Sequence, residues 1–199
     1  MVHRIGYVIG SLAGDSINRV LAGALVRLAP ESLELTEIPI RDLPLYNRDD
    51  EHSPTAAVTE FKQAIEASDG LLIVSPEYNR SIPGALKNAI DWGSRPWGQN
   101  SFARKPTGII GASTGAIGTA VMQASMRSVL SFLDAPQLNA PEAYITFKPE
   151  FYGEDGVVKD ESTAKFLGHY MEEYAALVER VLSSSLPGHM GDSDPDTMH

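Results

Sequence analysis

The residue types with chemical capacity fall in three polar turns, each behind an apolar run. In residues 75–92, SPEYNRSIPGALKNAIDW, a loop carries Pro76, Glu77, Tyr78, Asn79 and Ser81. Pro83 and Gly84 follow, and Leu86 and Ile90 then stand at helical spacing. Such a loop offers hydrogen bonds and one aromatic face to a ligand; it equally suits an ordinary strand-to-helix connection with a serine cap. In residues 10–18, GSLAGDSIN, small and hydroxylated residues stand at the foot of a helix. Exposed N–H groups, the helix dipole and the side chains of Ser11, Ser16 and Asn18 would together hold an anion, and a phosphate monoester fits. The other reading is a capped helix, with Ser16 or Asp15 as the cap. The spacing is neither G-x-G-x-x-G nor a Walker A loop, which argues against a dinucleotide fold and an ATPase. The third turn, ASTGAIGT at 112–119, has two glycines, as a tight turn or the close approach of a flat ligand requires.

Five strands and five helices position these turns. Short apolar, β-branched runs predict strands at 4–10, 33–38, 70–74, 107–111 and 143–147. Helical periodicity follows the first turn, spans 55–67, follows Pro83, runs on to Leu133 and closes the chain over 162–182. The alternation predicts an α/β three-layer α/β/α sandwich on a five-stranded parallel sheet of flavodoxin-like order. The three turns follow strands one, three and four at their carboxyl ends, so they converge on one edge of the sheet. Trp92 and Trp97 read as packing residues. The 49–52 run, Asp-Asp-Glu-His, reads as a solvated loop with no metal assigned. Residues 1–182 form one domain, and 183–199 have the makeup of a disordered tail, with His189 and His199 as bystanders.

Composition narrows the function. A chain of 199 residues, 43% hydrophobic, suits one sizeable core. A formal net charge of -10 argues against nucleic acid or an anionic membrane as partner. With no cysteine, redox chemistry would reside in a bound cofactor. No signal peptide and no bilayer-spanning apolar stretch is evident, so a cytoplasmic protein is expected.

Pro76-Glu77-Tyr78-Asn79, followed by Gly84, Lys87, Asn88, Ala89, Asp91 and Trp92, resembles the signature of the NADPH-dependent FMN reductase family, in its quinone and chromate reductase-like branch. The 10–18 turn resembles the family's phosphate-binding stretch, Gly-Ser-x-Arg followed by Ser-x-Asn: Ser11, Ser16 and Asn18 match, and Ala13 stands where arginine is usual. The resemblance implies that Ser11, Ser16, Asn18 and the Ile17 backbone hold the FMN phosphate. It places Ser113, Thr114 and Gly115 beside the isoalloxazine and Pro76, Tyr78 and Asn79 along its border, with Glu77 tuning the reduced form. Losing the arginine at 13 removes a charge-assisted hydrogen bond worth roughly 1.5–3 kcal/mol; Arg19 or Arg80 would be the compensating cation.

The implied activity is hydride transfer from NADPH or NADH to FMN N5, then electron transfer to a small-molecule acceptor: a quinone, free flavin, azo dye or metal oxyanion. No side chain need act as general acid. A homodimer or homotetramer is implied by the same analogy. The competing classes are a flavodoxin-like electron carrier and a flavin-free binding module. The first turn lacks the Thr-rich phosphate turn of flavodoxins.

Overall fold

The computed structural model describes residues 1–153 and 156–184. Five strands, β1 (His3–Ile9), β2 (Leu33–Glu37), β3 (Gly70–Val74), β4 (Thr107–Ser113) and β5 (Tyr144–Thr146), form one sheet in the order β2-β1-β3-β4-β5. All neighbours pair in parallel, with Ile5 opposite Leu35 and Gly70, Leu71 opposite Thr107 and Gly111 opposite Tyr144. This is the flavodoxin-like doubly wound order.

The helices are α1 (Ile17–Leu28), α2 (Ala56–Ala67), α3 (Gly84–Gly93), α4 (Ala120–Phe132) and α5 (Glu161–Ser184). On one face of the sheet, Leu21 and Leu25 of α1 and Leu167, Tyr170, Tyr174 and Val178 of α5 share a core with Leu72, Val74 and Ile110. On the other, Phe61 and Ile65 of α2, Ile90 of α3 and Met122, Met126 and Leu130 of α4 pack against Leu71, Ile73 and Ile109. Side chains of one strand alternate between the two cores, which is why β3 is buried at all five positions and reads as an unbroken apolar run. The deeply buried Tyr174 ties α5 to the sheet by donating its hydroxyl to the Leu71 carbonyl at 2.7 Å. Burial pushes its phenol well above the ordinary tyrosine range.

From β1 the chain crosses through α1 to β2 in one direction, while β3, β4 and β5 lie in the other. The order therefore reverses between β1 and β3, the position where open α/β sheets leave a crevice at their carboxyl edge.

Three details differ from the sequence expectation. Strand β4 runs through Ser113 rather than ending at Gly111, because residues remote in sequence complete its pairing. Ser183 and Ser184 belong to the last turn of α5 rather than to a tail; the remainder of the tail, 185–199, lies outside the described residues. Trp92 is buried and meets the Tyr46 ring edge-on at 5.2 Å, as packing requires. Trp97, in the loop beyond α3, is instead 66% exposed, with the Phe132 ring and the Arg95 guanidinium beside it. The acidic 49–52 run begins in a 3-10 turn, Arg48–Asp50, capped by Asn47, and Glu51 accepts the Tyr46 hydroxyl. No helix among the described residues is long and apolar enough to cross a membrane.

Candidate cofactor-binding site

The first turn leaves β1 at Gly10 and enters α1 through Ser16, whose Oγ accepts the Asn18 N–H at 3.2 Å. Ser16 is thus the N-cap, and its own hydroxyl proton stays available to a ligand. Ser11, 5% exposed, accepts the Ala13 N–H at 3.3 Å. Residues 12–15 are exposed, and the N–H groups of Gly14, Asp15 and Ile17 have no hydrogen-bond partner among the described residues. Unpartnered N–H groups, two hydroxyls and a helix amino terminus are the donor set a phosphate monoester needs.

Asn18 has a different place from the one its spacing suggests. Its side chain is wholly buried, donating Nδ2 to the Ala112 carbonyl at 2.9 Å and accepting the Ala112 N–H on Oδ1 at 2.9 Å. Strand β3 ends opposite Ile110, two residues short of Ala112, with the Ser75 N–H on the Ile110 carbonyl at 3.0 Å. The amide therefore stands in for the missing strand residue, closing the ladder of β4 and locking the foot of α1 to it.

The second loop turns back sharply. Tyr78 and Ser81 exchange both backbone hydrogen bonds, at 3.2 and 3.0 Å, around Asn79 (φ 52) and Arg80 (φ 59). Positive φ at both central residues is what a type I′ turn demands, and asparagine tolerates it best after glycine. The turn projects Tyr78, half-exposed, toward the first loop, with its hydroxyl 3.4 Å from Ser11 Oγ. Glu77 points the other way. One carboxylate oxygen accepts the N–H groups of Val121 and Met122, both at 3.0 Å, and the other accepts from Arg80 at 3.2 Å. A carboxylate from the second loop thus caps α4, favoured by the helix dipole as well as by the two N–H groups.

The third turn follows from that cap. Ser113 closes β4 and donates to the Gly118 carbonyl at 2.7 Å, while its Oγ accepts the Gly115 N–H at 3.2 Å; Thr114 and Gly115 are exposed at the rim. Gly111 beneath them has no room for a side chain, since a Cβ would lie 2.0 Å from the Ser75 carbonyl oxygen. Glu77, Asn79, Arg80, Ser113, Gly115 and Ile117 line an open cavity of about 450 Å³ between the second and third turns. Pro76 is buried behind it. Unpartnered donors at the foot of α1 and an open cavity between the second and third turns are the two features that a flat polar ring system with a phosphate tail requires.

The cations sort themselves by partner. Arg19 forms a forked pair with Glu37, at 2.9 and 3.0 Å, and Arg80 is tied to Glu77. Both cations thus already hold a carboxylate. Arg41, in the loop after β2, donates to the Leu12 carbonyl within that turn; nothing in its local sequence signals the contact. A second cavity of about 460 Å³ lies away from the three turns, beside α2 and the loop after α3, with His52, Lys62 and Arg95 in its wall. There the Lys62 ammonium already donates to the carbonyls of Gly93, Arg95 and Gln99 at 3.1, 2.8 and 2.8 Å, and burial pushes its pKa down. It is a tie between elements.

Comparison with known proteins identifies the family. Residues 3–150 match the family described as NADPH-dependent FMN reductase. A 2-hydroxy-1,4-benzoquinone reductase of Burkholderia sp is 47% identical over 178 residues, covering 89% of this chain and 97% of the relative. A quinone reductase of Escherichia coli (strain K12) is 39% identical over 186 residues, covering 87% and 94%. The solved structure of FerB, a flavoenzyme NAD(P)H:(acceptor) oxidoreductase from Paracoccus denitrificans, superposes with a TM-score of 0.87 at 43% identity, covering 90% of this chain and 98% of that one. With a family model matched over residues 3–150 and a relative 47% identical across 89% of this chain, the chain belongs to the NADPH-dependent FMN reductase family.

Proposed function

We propose that this protein is an NAD(P)H-dependent FMN reductase that passes electrons to a quinone or a comparable small oxidised acceptor. FMN, when bound, supplies a ring that takes two electrons from a reduced nicotinamide and hands them to the acceptor. The protein's own residues bind, orient and shield. Ser11, Ser16 and the N–H groups of Gly14, Asp15 and Ile17 hold the phosphate, and Asn18 fixes the helix that presents them. Tyr78 and Asn79 wall one side of the ring, Ser113, Thr114 and Gly115 the other, over Pro76. Glu77 keeps the two walls at a set separation by capping α4. No side chain need act as a general acid, and the donor and the acceptor use the same face of the flavin in turn.

The convergence of the three turns, with unpartnered donors at the foot of α1, carries this reading. The hydroxybenzoquinone named for the Burkholderia relative supports a quinone over an azo dye, a free flavin or a metal oxyanion as acceptor. Tyr78 of the second turn, Ile117 of the third and Val121 at the start of α4 are exposed hydrophobic side chains that would be covered in a homodimer or homotetramer. The cytoplasm, where NADPH and NADH are supplied, is the compartment this chemistry requires.

Mixing the protein with FMN, NADPH or NADH and a quinone should give steady nicotinamide oxidation with ping-pong kinetics. A flavin that stays oxidised under excess NADPH and NADH alike would overturn the reading in favour of an electron carrier.

A further inference from the structure

The phosphate turn carries no cation of its own: the charged residue between Gly10 and Ile17 is Asp15. A phosphate dianion held there would sit in a chain of formal net charge -10, so the source of its countercharge governs how tightly it binds. Arg19 and Arg80 face Glu37 and Glu77. Arg41 forms no ion pair among the described residues, and its Nη2 donates to the Leu12 carbonyl. A groove of about 180 Å³ runs beside it, lined by Ser11, Leu12, Arg19 and Arg41, with Glu37, already paired, and Asp42. A guanidinium has five N–H donors in a rigid fork, so one bond to a carbonyl holds the head in place and leaves donors for an anion.

We infer that Arg41 is the cation of the phosphate turn, supplying from the loop after β2 the charge that Ala13 lacks, and that it makes the protein select the phosphorylated flavin over the unphosphorylated one. The inference rests on the reading that this turn holds the FMN phosphate. Position 41 reaches the turn because parallel strands β1 and β2 are neighbours and their exits lie side by side.

The test titrates flavin-free protein with FMN and with riboflavin, following the quenching of flavin fluorescence, for the parent, Arg41→Ala, Arg41→Lys and Ser16→Leu. Arg41→Ala should weaken FMN about tenfold at low salt, the size of one charge-assisted hydrogen bond, and riboflavin by less than about twofold. Arg41→Lys should recover part of the loss, and the difference should shrink between about 0.01 M and about 1 M salt as screening shortens from roughly 30 Å to roughly 3 Å. Equal losses for FMN and riboflavin would mean that Arg41 merely shapes the loop, which overturns the inference. Unchanged FMN binding in Arg41→Ala while Ser16→Leu loses the phosphate preference would overturn it too, and leave the turn standing. If neither variant alters the preference for FMN over riboflavin, the phosphate lies elsewhere and both readings fall.

Discussion

Replacing Asn18 by leucine separates a residue that grips a ligand from one that completes the fold. Leucine has nearly the same shape, so the cavity term is small, but the Ala112 N–H and carbonyl lose the partners they hold at 2.9 Å. Both are buried. An unsatisfied buried polar group costs about 1–3 kcal/mol, so the pair should cost roughly 2–6 kcal/mol, against a domain stability of about 5–15 kcal/mol. With a urea slope of about 1–3 kcal/mol per molar, the unfolding midpoint of the flavin-free protein should fall by roughly 1–2 M. Circular dichroism against urea measures this directly. Asn18→Asp sharpens the test: its oxygens still accept the Ala112 N–H but one faces the Ala112 carbonyl, so it should be unstable at neutral pH and recover on acidification, when the carboxyl becomes a donor. An Asn18→Leu protein that keeps its urea midpoint yet loses FMN would refute the ladder argument and return Asn18 to the phosphate.

Two further perturbations address the walls of the site and the core. Glu77→Ala removes the cap from α4 and should cost about 0.5–2 kcal/mol, a melting shift of roughly 2–4 °C per kcal/mol, whereas Glu77→Gln keeps an acceptor oxygen and should recover most of it; equal melting of both variants would rule out the cap. The buried phenol of Tyr174 holds its proton more tightly in the fold than in the unfolded chain, where tyrosine ionises near pH 10. Its contribution is present below about pH 10 and is lost as pH rises beyond, because the folded state then binds the extra proton. Tyr174→Phe should therefore be less stable at neutral pH, having lost the bond to Leu71, but fall less steeply above about pH 10; parallel urea midpoint curves for parent and variant would contradict this.

What the sequence discloses is what neighbours along the chain decide. The apolar run 70–74, closed by Asp-Gly on one side and Ser-Pro on the other, predicts β3 to the residue. Ser16 as a cap is likewise local, since its partner is two residues away. Asn18 misleads because an asparagine two residues after a cap looks like another donor in the same turn, while its partner is 94 residues downstream. Glu77 is comparable: it sits in a recognisable loop, but its work is done on N–H groups 44 and 45 residues later. The length of β4 follows the same logic, for its last residues are held by Asn18 and β5 rather than by their own propensity. Arg41 carries no local sign at all. Its role follows from the adjacency of β1 and β2, which belongs to the sheet order and not to any short motif.

The cross-links between the three turns have a mechanical consequence. Ser11 meets Tyr78, Glu77 holds α4, and Asn18 holds β4, so the first turn is joined to the second and to β4, and the second to the third. No turn is free to swing by itself. The crevice is therefore a stiff receptor, with its shape set before any ligand arrives, and little of the free energy of capture goes into ordering the chain. Entry into such a receptor is paced by diffusion and orientation instead of by the opening of a lid.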